Sequence, residues 1–274
     1  MKIGTNIALI FPILVCNQKC PYCVNHHSSE ANLKYKLEPG FKWIEAINNL
    51  EFIDEIKTGG GEPTLHPDFV EIFNNIKDAP RRILIGTNAA ELAVEKLIQV
   101  KPRPKLRIQI SFHPTETDID PFISRVLKIR NVHGQNVGVH MITRDKRLDV
   151  KTVSHFKKNG INISSDVFLY NHQGFYQESL RDFSDMSKPP RRIRCPLSIY
   201  KPIAPNGDIY ACHQLMYTQS KVGILGNIFS NWAVNALDID CPMYGWCNPC
   251  DSGHFNRSEQ LRTLQRQKPE LAAL

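Results

Sequence analysis

Ile7-Ala8-Leu9-Ile10-Phe11-Pro12-Ile13-Leu14-Val15-Cys16-Asn17-Gln18-Lys19-Cys20-Pro21-Tyr22-Cys23 is the stretch from which the fold can be worked outward. It joins an apolar run to three cysteines. A strand covered on both faces, as in a parallel sheet, loses polar alternation and reads as a continuous apolar segment. Ile7–Leu14 is therefore read as the first strand. The run is about half the length a membrane span needs. No small-residue cleavage signal follows it. The chain is accordingly read as cytoplasmic, with no membrane partner.

Beyond this strand the sequence alternates. Strands are expected at Glu55–Thr58, Arg82–Gly86, Leu106–Phe112, Val137–Ile142 and Ile161–Tyr170. Helices are expected between them at Phe41–Asn49, Pro67–Ile76, Ala90–Val100, Asp120–Ile129 and Val150–Asn159. Pro67 and Pro121 suit the first turn of a helix, and Gly160 a helix C-terminus. Such alternation implies parallel βα units. By pattern alone, an open doubly wound sheet and a curved partial barrel are equivalent. After Tyr170 the alternation stops. Residues 171–194 are polar, contain Pro189-Pro190 and read as a linker. Asn206-Gly207 between apolar stretches signals a hairpin. A short helix is expected at Asn231–Leu237, and the tail from Ser258 is helix-prone.

The 274 residues are 42% hydrophobic and 22% charged, enough for a real core and unlike a disordered chain. The net charge of +7 favours anionic partners or is simply a solvated basic surface. Eight cysteines in a chain read as cytosolic point to metal or redox chemistry before disulfides. They form two groups. Cys16, Cys20 and Cys23 open the chain; Cys195, Cys212, Cys241, Cys247 and Cys250 lie in its last third.

Thiolates are soft ligands for zinc or for iron–sulfur clusters. Structural zinc takes four ligands, for which His26 or His27 could be the fourth. Three thiolates on a four-iron cube instead leave one iron open to bind a small molecule. The loop also follows a strand, at the end where α/β folds bind ligands.

Thr58-Gly59-Gly60-Gly61-Glu62-Pro63-Thr64-Leu65 ends the second strand. Glycines let backbone approach a ligand, and a carboxylate can pair with an ammonium. Cys-x3-Cys-x2-Cys after strand one, with an aromatic residue before the last cysteine, resembles the radical S-adenosylmethionine superfamily. The Gly60-Gly61-Glu62-Pro63 loop resembles that family's second motif. The resemblance implies a partial (β/α)6 TIM-like barrel over roughly residues 5–170. It implies that Cys16, Cys20 and Cys23 hold a [4Fe–4S] cluster whose open iron chelates S-adenosylmethionine. One electron then yields a 5′-deoxyadenosyl radical that abstracts hydrogen from substrate. It implies cofactor contacts from Gly60, Gly61, Glu62 and Pro63, and points to Tyr22, Asn88, Ser111 and Arg144 as further ones. Glu62 would meet the methionine ammonium, Ser111 the ribose or the carboxylate, and Arg144 the carboxylate. An electron donor such as flavodoxin or ferredoxin is implied with them.

Cys195, the Gly207-x4-Cys212 segment and Cys247-x2-Cys250 resemble the twitch subdomain, a shortened SPASM domain. They imply one auxiliary [4Fe–4S] cluster, with a four-thiolate zinc ribbon as the other reading. The division expected is a barrel with linker over 1–190, a twitch/SPASM-like auxiliary cluster domain over 191–257 and a helical or frayed tail over 258–274. Cys241 is spare: an inert thiol, or a hydrogen-atom donor. The function expected is an oxidoreductase acting on a small molecule or peptide, with the auxiliary cluster as electron acceptor. The alternatives are a redox-neutral epimerase using Cys241, an RNA- or nucleotide-modifying enzyme and a zinc-stabilised binding module. Nucleic acid has only the positive charge in its favour. With 15 residues before Cys16, no leader-binding domain is expected ahead of the barrel, which mildly favours a small substrate. His113, Glu116, Asp166 and Tyr170 are expected near the pocket.

Overall fold

The computed structural model describes residues 7–23, 35–50, 53–77, 81–143, 148–167, 169–172, 175–178, 191–194, 200–217, 219–230 and 240–244. Six strands follow one another in the sheet: β1 (Ile7–Ile10), β2 (Glu55–Thr58), β3 (Arg82–Thr87), β4 (Leu106–Phe112), β5 (Val137–Thr143) and β6 (Ile163–Val167). Each pairs in parallel with the next. Between them run α1 (Gly40–Asn48), α2 (Phe69–Asn75), α3 (Glu91–Leu97), α4 (Ile119–His133) and α5 (Val150–Lys158). Spatial order equals chain order, so no switch point of the doubly wound kind occurs among them. This is the winding of a barrel, left open. The choice that pattern alone did not make is settled by pairing order.

Beyond Val167 the structure departs from the linker expectation. Leu169–His172 (β7) and Phe175–Glu178 (β8) form an antiparallel pair. The Ile161–Tyr170 segment is thus two strands rather than one, each stretch meeting a different partner. Arg191–Arg194 (β9) pairs antiparallel with Asp240–Tyr244 (β13), placing Cys241 opposite Ile193. The hairpin at Asn206-Gly207 is present: Tyr200–Ile203 (β10) and Asp208–Tyr210 (β11) are antiparallel, and Ile224–Asn227 (β12) extends them. Strand β10 pairs in parallel with β1, so these strands continue the main sheet, in the order β12-β11-β10-β1-β2-β3-β4-β5-β6. A short helix, α6 (His213–Tyr217), follows Cys212. Asn231–Leu237, the tail from Ser258, Cys195, Cys247, Cys250 and Arg144 lie outside the described residues.

Strand β1 stops at Ile10, four residues short of its expected end at Leu14. Pro12 has no N–H for a ladder. Phe11 and Leu14 stay buried, but in a separate cluster with Ala204, Tyr210 and Met216. Likewise α2 begins at Phe69 behind the cap Asp68, and Pro67 precedes it. Pro121 does lie in the first turn of α4, and Gly160 has the positive φ of 66° suited to a helix end.

The strands are two-faced. Ile56, Ile83, Ile85, Ile108, Ile110 and Phe112 are buried in the core with Trp43, Phe69, Phe122 and Phe156 from the helices. The intervening residues, Lys57, Leu84, Gly86, Gln109, Ser111 and His140, line a cavity. Alternation with period two therefore separates a helix-facing core from a cavity face that sets Lys57, Gln109, Ser111 and His140 among apolar residues. Helix ends are closed by the unit that comes next. Arg81 donates to the Ile47 and Leu50 carbonyls at the end of α1, and Arg103 to those of Phe73 and Ile76 at the end of α2. A cation there also complements the helix dipole. No helix among the described residues is long and apolar enough to cross a membrane.

His66, fully buried, ties α2's approach to the segment before α1. Its Nδ1 accepts the Asp68 N–H at 3.1 Å, which leaves Nε2–H to donate to the Glu38 carbonyl at 3.0 Å. Burial holds its pKa below the ordinary imidazole value. Below about pH 6.5 the unfolded chain therefore takes up a proton that the folded chain refuses. Stability is expected to fall as pH drops from there, by up to about 1.4 kcal/mol per pH unit until the folded pKa is reached. Urea midpoints at neutral pH and at pH 5.5 should differ in the wild type, and differ less in His66→Gln.

Candidate functional site

The cysteine loop is built against the backbone of its neighbours. Glu62 N–H donates to the Val15 carbonyl at 2.9 Å, and Gly59 N–H to the Ile10 carbonyl at 2.9 Å. A Cβ on Gly61 would stand 2.0 Å from the Val15 carbonyl oxygen and 2.4 Å from that of Leu14. Gly60 has φ +101°, and a Cβ there would meet the Phe11 ring and the Ile13 carbonyl. The glycines thus let loop lie on loop. Their close neighbour is the segment leading into Cys16, and they also line the cavity.

Glu62 is held by its own neighbours. Only 1% exposed, its Oε1 accepts from Thr64 N–H (3.2 Å), Thr64 Oγ1 (2.6 Å) and Thr87 Oγ1 (2.9 Å). Its Oε2 accepts the Asn88 N–H at 2.7 Å. Burial pushes its pKa up, and these donors oppose the shift. The carboxylate's partners within the chain are therefore the loop after β2 and the end of β3. Pro63 opens a single turn of 3-10 helix behind it.

The end of β3 reaches Cys16. Asn88 Nδ2 donates to Asn17 Oδ1 at 2.8 Å and lies 3.7 Å from Cys16 Sγ. Gln18 N–H points at the same sulfur from 3.5 Å. Ala89 takes a left-handed φ of 48°, which costs a non-glycine residue about 1–2 kcal/mol. Thr87 Oγ1 receives its N–H at 3.1 Å. The loop after β4 holds the other side: Glu116 Oε2 accepts Lys19 N–H at 3.0 Å, and Tyr22 Oη lies 3.0 Å from His113 Nδ1.

Cys16, Cys20 and Cys23 line one cavity of about 480 Å³ with the glycine loop, Glu62, Pro63, Asn88, Ser111, His113 and Tyr22. Burial pushes the Cys16 thiol up to about 11, with Glu62 and Cys23 adding to it. Burial pushes Cys20 to about 12, with Glu116, Cys23 and Cys16 adding to it. Cys16 and Cys20, whose ionisation the neighbouring thiols disfavour, suit a positively charged group, which draws their protons off on binding. Among the described residues, no three His, Cys, Asp or Glu donors are drawn together as a single metal ion requires. A set of soft thiolates around a roomy cavity fits a cluster of irons.

Ser111 lines the cavity, its Oγ 3.0 Å from His140 Nε2. His113 also lines it; burial first, and His140's charge second, depress its pKa to about 4, so it is neutral at pH 7. His140, Gln109 and Lys57 were missed from the sequence. Gln109 and His140 carried a signal, polar residues at alternate positions inside largely apolar strands, whereas Lys57 lies on the mixed strand Glu55–Thr58. The backbone of Asp166 pairs with Ile142, and that of Tyr170 with Gln177.

A consecutively wound parallel sheet with three thiols and a Gly-Gly-Glu-Pro loop at its strand ends defines a class, and comparison names it. The chain belongs to the radical SAM superfamily, whose family profile matches residues 10–186. A PqqA peptide cyclase of Bradyrhizobium diazoefficiens is 30% identical over 144 residues, which are 51% of this chain and 37% of that protein. An S-adenosylmethionine-dependent nucleotide dehydratase of Selenomonas ruminantium is 34% identical over 86 residues, 30% of each chain. The chain thus spans about a third of the length of these curated relatives. The solved structure of Streptococcus suis SuiB bound to S-adenosylmethionine shares the fold with a TM-score of 0.62 at 16% identity, over 89% of this chain and 67% of that one. Native anSMEcpe with bound AdoMet and a peptide gives a TM-score of 0.54 at 17% identity, over 83% of this chain and 78% of that one.

Proposed function

We propose that this chain is a radical S-adenosylmethionine enzyme that removes hydrogen from a peptide and oxidises it, with a small molecule as the other substrate class. The carrying observation is the set of three thiols lining one cavity with the Gly-Gly-Glu-Pro loop, the two loops joined backbone to backbone. Cys16, Cys20 and Cys23 hold the [4Fe–4S] cluster, which when bound supplies the electron that opens S-adenosylmethionine. Gly60, Gly61 and Pro63 form the wall beside the cofactor's methionine end, with Asn88 and Ser111 on adjacent strand ends. Glu62 holds that wall in place from beneath. Tyr22 and His113, both neutral at pH 7, fix the loop's far side. Arg144 remains the proposed carboxylate partner.

The peptide reading is supported by relatives named for peptides: the PqqA peptide cyclase, and SuiB solved with its precursor peptide SuiA. Cys195, Cys212, Cys247 and Cys250 are proposed to hold an auxiliary [4Fe–4S] cluster that accepts the substrate's second electron, in a twitch-type region over 191–257. A flavodoxin or ferredoxin serves as donor, and the cytoplasm as location.

The test is chemical. Protein reconstituted anaerobically with iron and sulfide should hold about four irons at the first site and about four more at the auxiliary site. On reduction with dithionite it should release 5′-deoxyadenosine from S-adenosylmethionine. Zinc without iron, or no 5′-deoxyadenosine, would sink the proposal. Eight irons against four decides the auxiliary cluster separately.

A further inference from the structure

Asn88 is fixed by its backbone before its side chain reaches anything. Its N–H is held by Glu62 Oε2 at 2.7 Å, and Ala89 turns left-handed directly after it. Ala90 N–H donates to Asn88 Oδ1 at 3.0 Å. That bond decides which way the amide faces: the oxygen is engaged, so the nitrogen points away from it. On that other side stand Asn17 Oδ1 at 2.8 Å and Cys16 Sγ at 3.7 Å. Asn88 itself is buried, 6% exposed, while Cys16 is half-buried and Asn17 exposed. A buried N–H aimed at a sulfur is worth more than one in water, since no solvent dipole replaces it when charge changes.

We infer that Asn88 is a positioning residue for the cluster, acting through the sulfur of Cys16 and raising the cluster's reduction potential. This rests on the proposed cluster at Cys16, Cys20 and Cys23. Reduction adds one negative charge that is shared with the ligand sulfurs. A donor on one of those sulfurs stabilises the reduced form more than the oxidised form. Glu62 enters indirectly: its buried carboxylate anchors the backbone N–H of Asn88 and so holds the amide at the sulfur. The second motif of the chain is thereby wired to the first through a residue belonging to neither.

Redox titration of the reconstituted protein, followed by electron paramagnetic resonance without S-adenosylmethionine, tests this apart from turnover. Asn88→Ala should lower the reduction equilibrium constant about tenfold, which is about 59 mV for one electron. Asn88→Asp keeps an oxygen for Ala90 N–H but has no donor, and should fall at least as far; it decides the matter if the alanine variant does not fold. Asn17→Ala removes the amide's other partner and should show no fall. Wild-type potential in Asn88→Asp, or an equal fall in Asn17→Ala, overturns the inference and makes loop distortion the cause of any change. A wild-type protein that takes up no iron overturns the cluster assignment itself.

Discussion

Cys20→Ala is expected to leave the fold intact and remove the chemistry. Cys20 sits on the loop after β1, partly exposed, and its sulfur lies 3.9 Å from Gln18 Oε1. It belongs to neither hydrophobic cluster. Truncating it should change stability by no more than about 0.5 kcal/mol. The functional loss is of another order. With two thiolates remaining, the cluster loses an iron ligand, and 5′-deoxyadenosine release should drop more than about a thousandfold, over 4 kcal/mol of barrier. Melting temperature, bound iron and 5′-deoxyadenosine, measured on one preparation, check the pattern. A variant that kept full iron and wild-type cleavage would show that Cys20 is not a ligand.

Gly61→Ala should do the reverse, damaging structure first and chemistry through it. The added methyl would lie 2.0 Å from one carbonyl oxygen and 2.4 Å from another. Both obstacles are backbone, so no rotamer change relieves them. The glycine loop must lift from residues 13–15, straining the Glu62–Val15 hydrogen bond and the Glu62 contacts to Thr64, Thr87 and Asn88. A cost of about 3–4 kcal/mol is expected, a fall of about 10 °C in melting temperature, with loss of iron uptake. Gly138→Ala on β5 is the control: a Cβ there meets nothing within 4 Å, and the change should be within about 0.5 kcal/mol. Equal melting temperatures for the two variants would contradict the loop-on-loop packing.

Much of the fold was legible because its signals are local. The core strands Glu55–Thr58 and Leu106–Phe112 have the bounds their apolar patterns suggest, and the five helices fall where expected within a few residues. Strand β1 is the informative exception. Its apolar run continues to Val15, but Pro12 and the glycine loop turn the last part into the seat of the cysteine loop. Hydrophobicity reports burial, and burial does not require a ladder. The strands described within 171–194 were not legible for a related reason: a short pair such as β7–β8 draws its stability from a partner strand, which composition does not reveal.

The sequence by itself determined the chemistry on offer. Three thiols at fixed spacing after a strand, and a Gly-Gly-Glu-Pro loop after the next, are short-range facts set by covalent order. Only the tertiary structure decided how they are used. Glu62 turned inward to hold Thr87 and Asn88, Asn88 found Cys16 across 72 residues, and Glu116 found Lys19 across 97. The cavity face that carries Lys57, Gln109, Ser111 and His140 became one surface only when parallel pairing brought four strands into register. The contacts of Glu62, Asn88 and Glu116 leave no periodic trace along the chain, because each depends on where two distant strand ends come to lie.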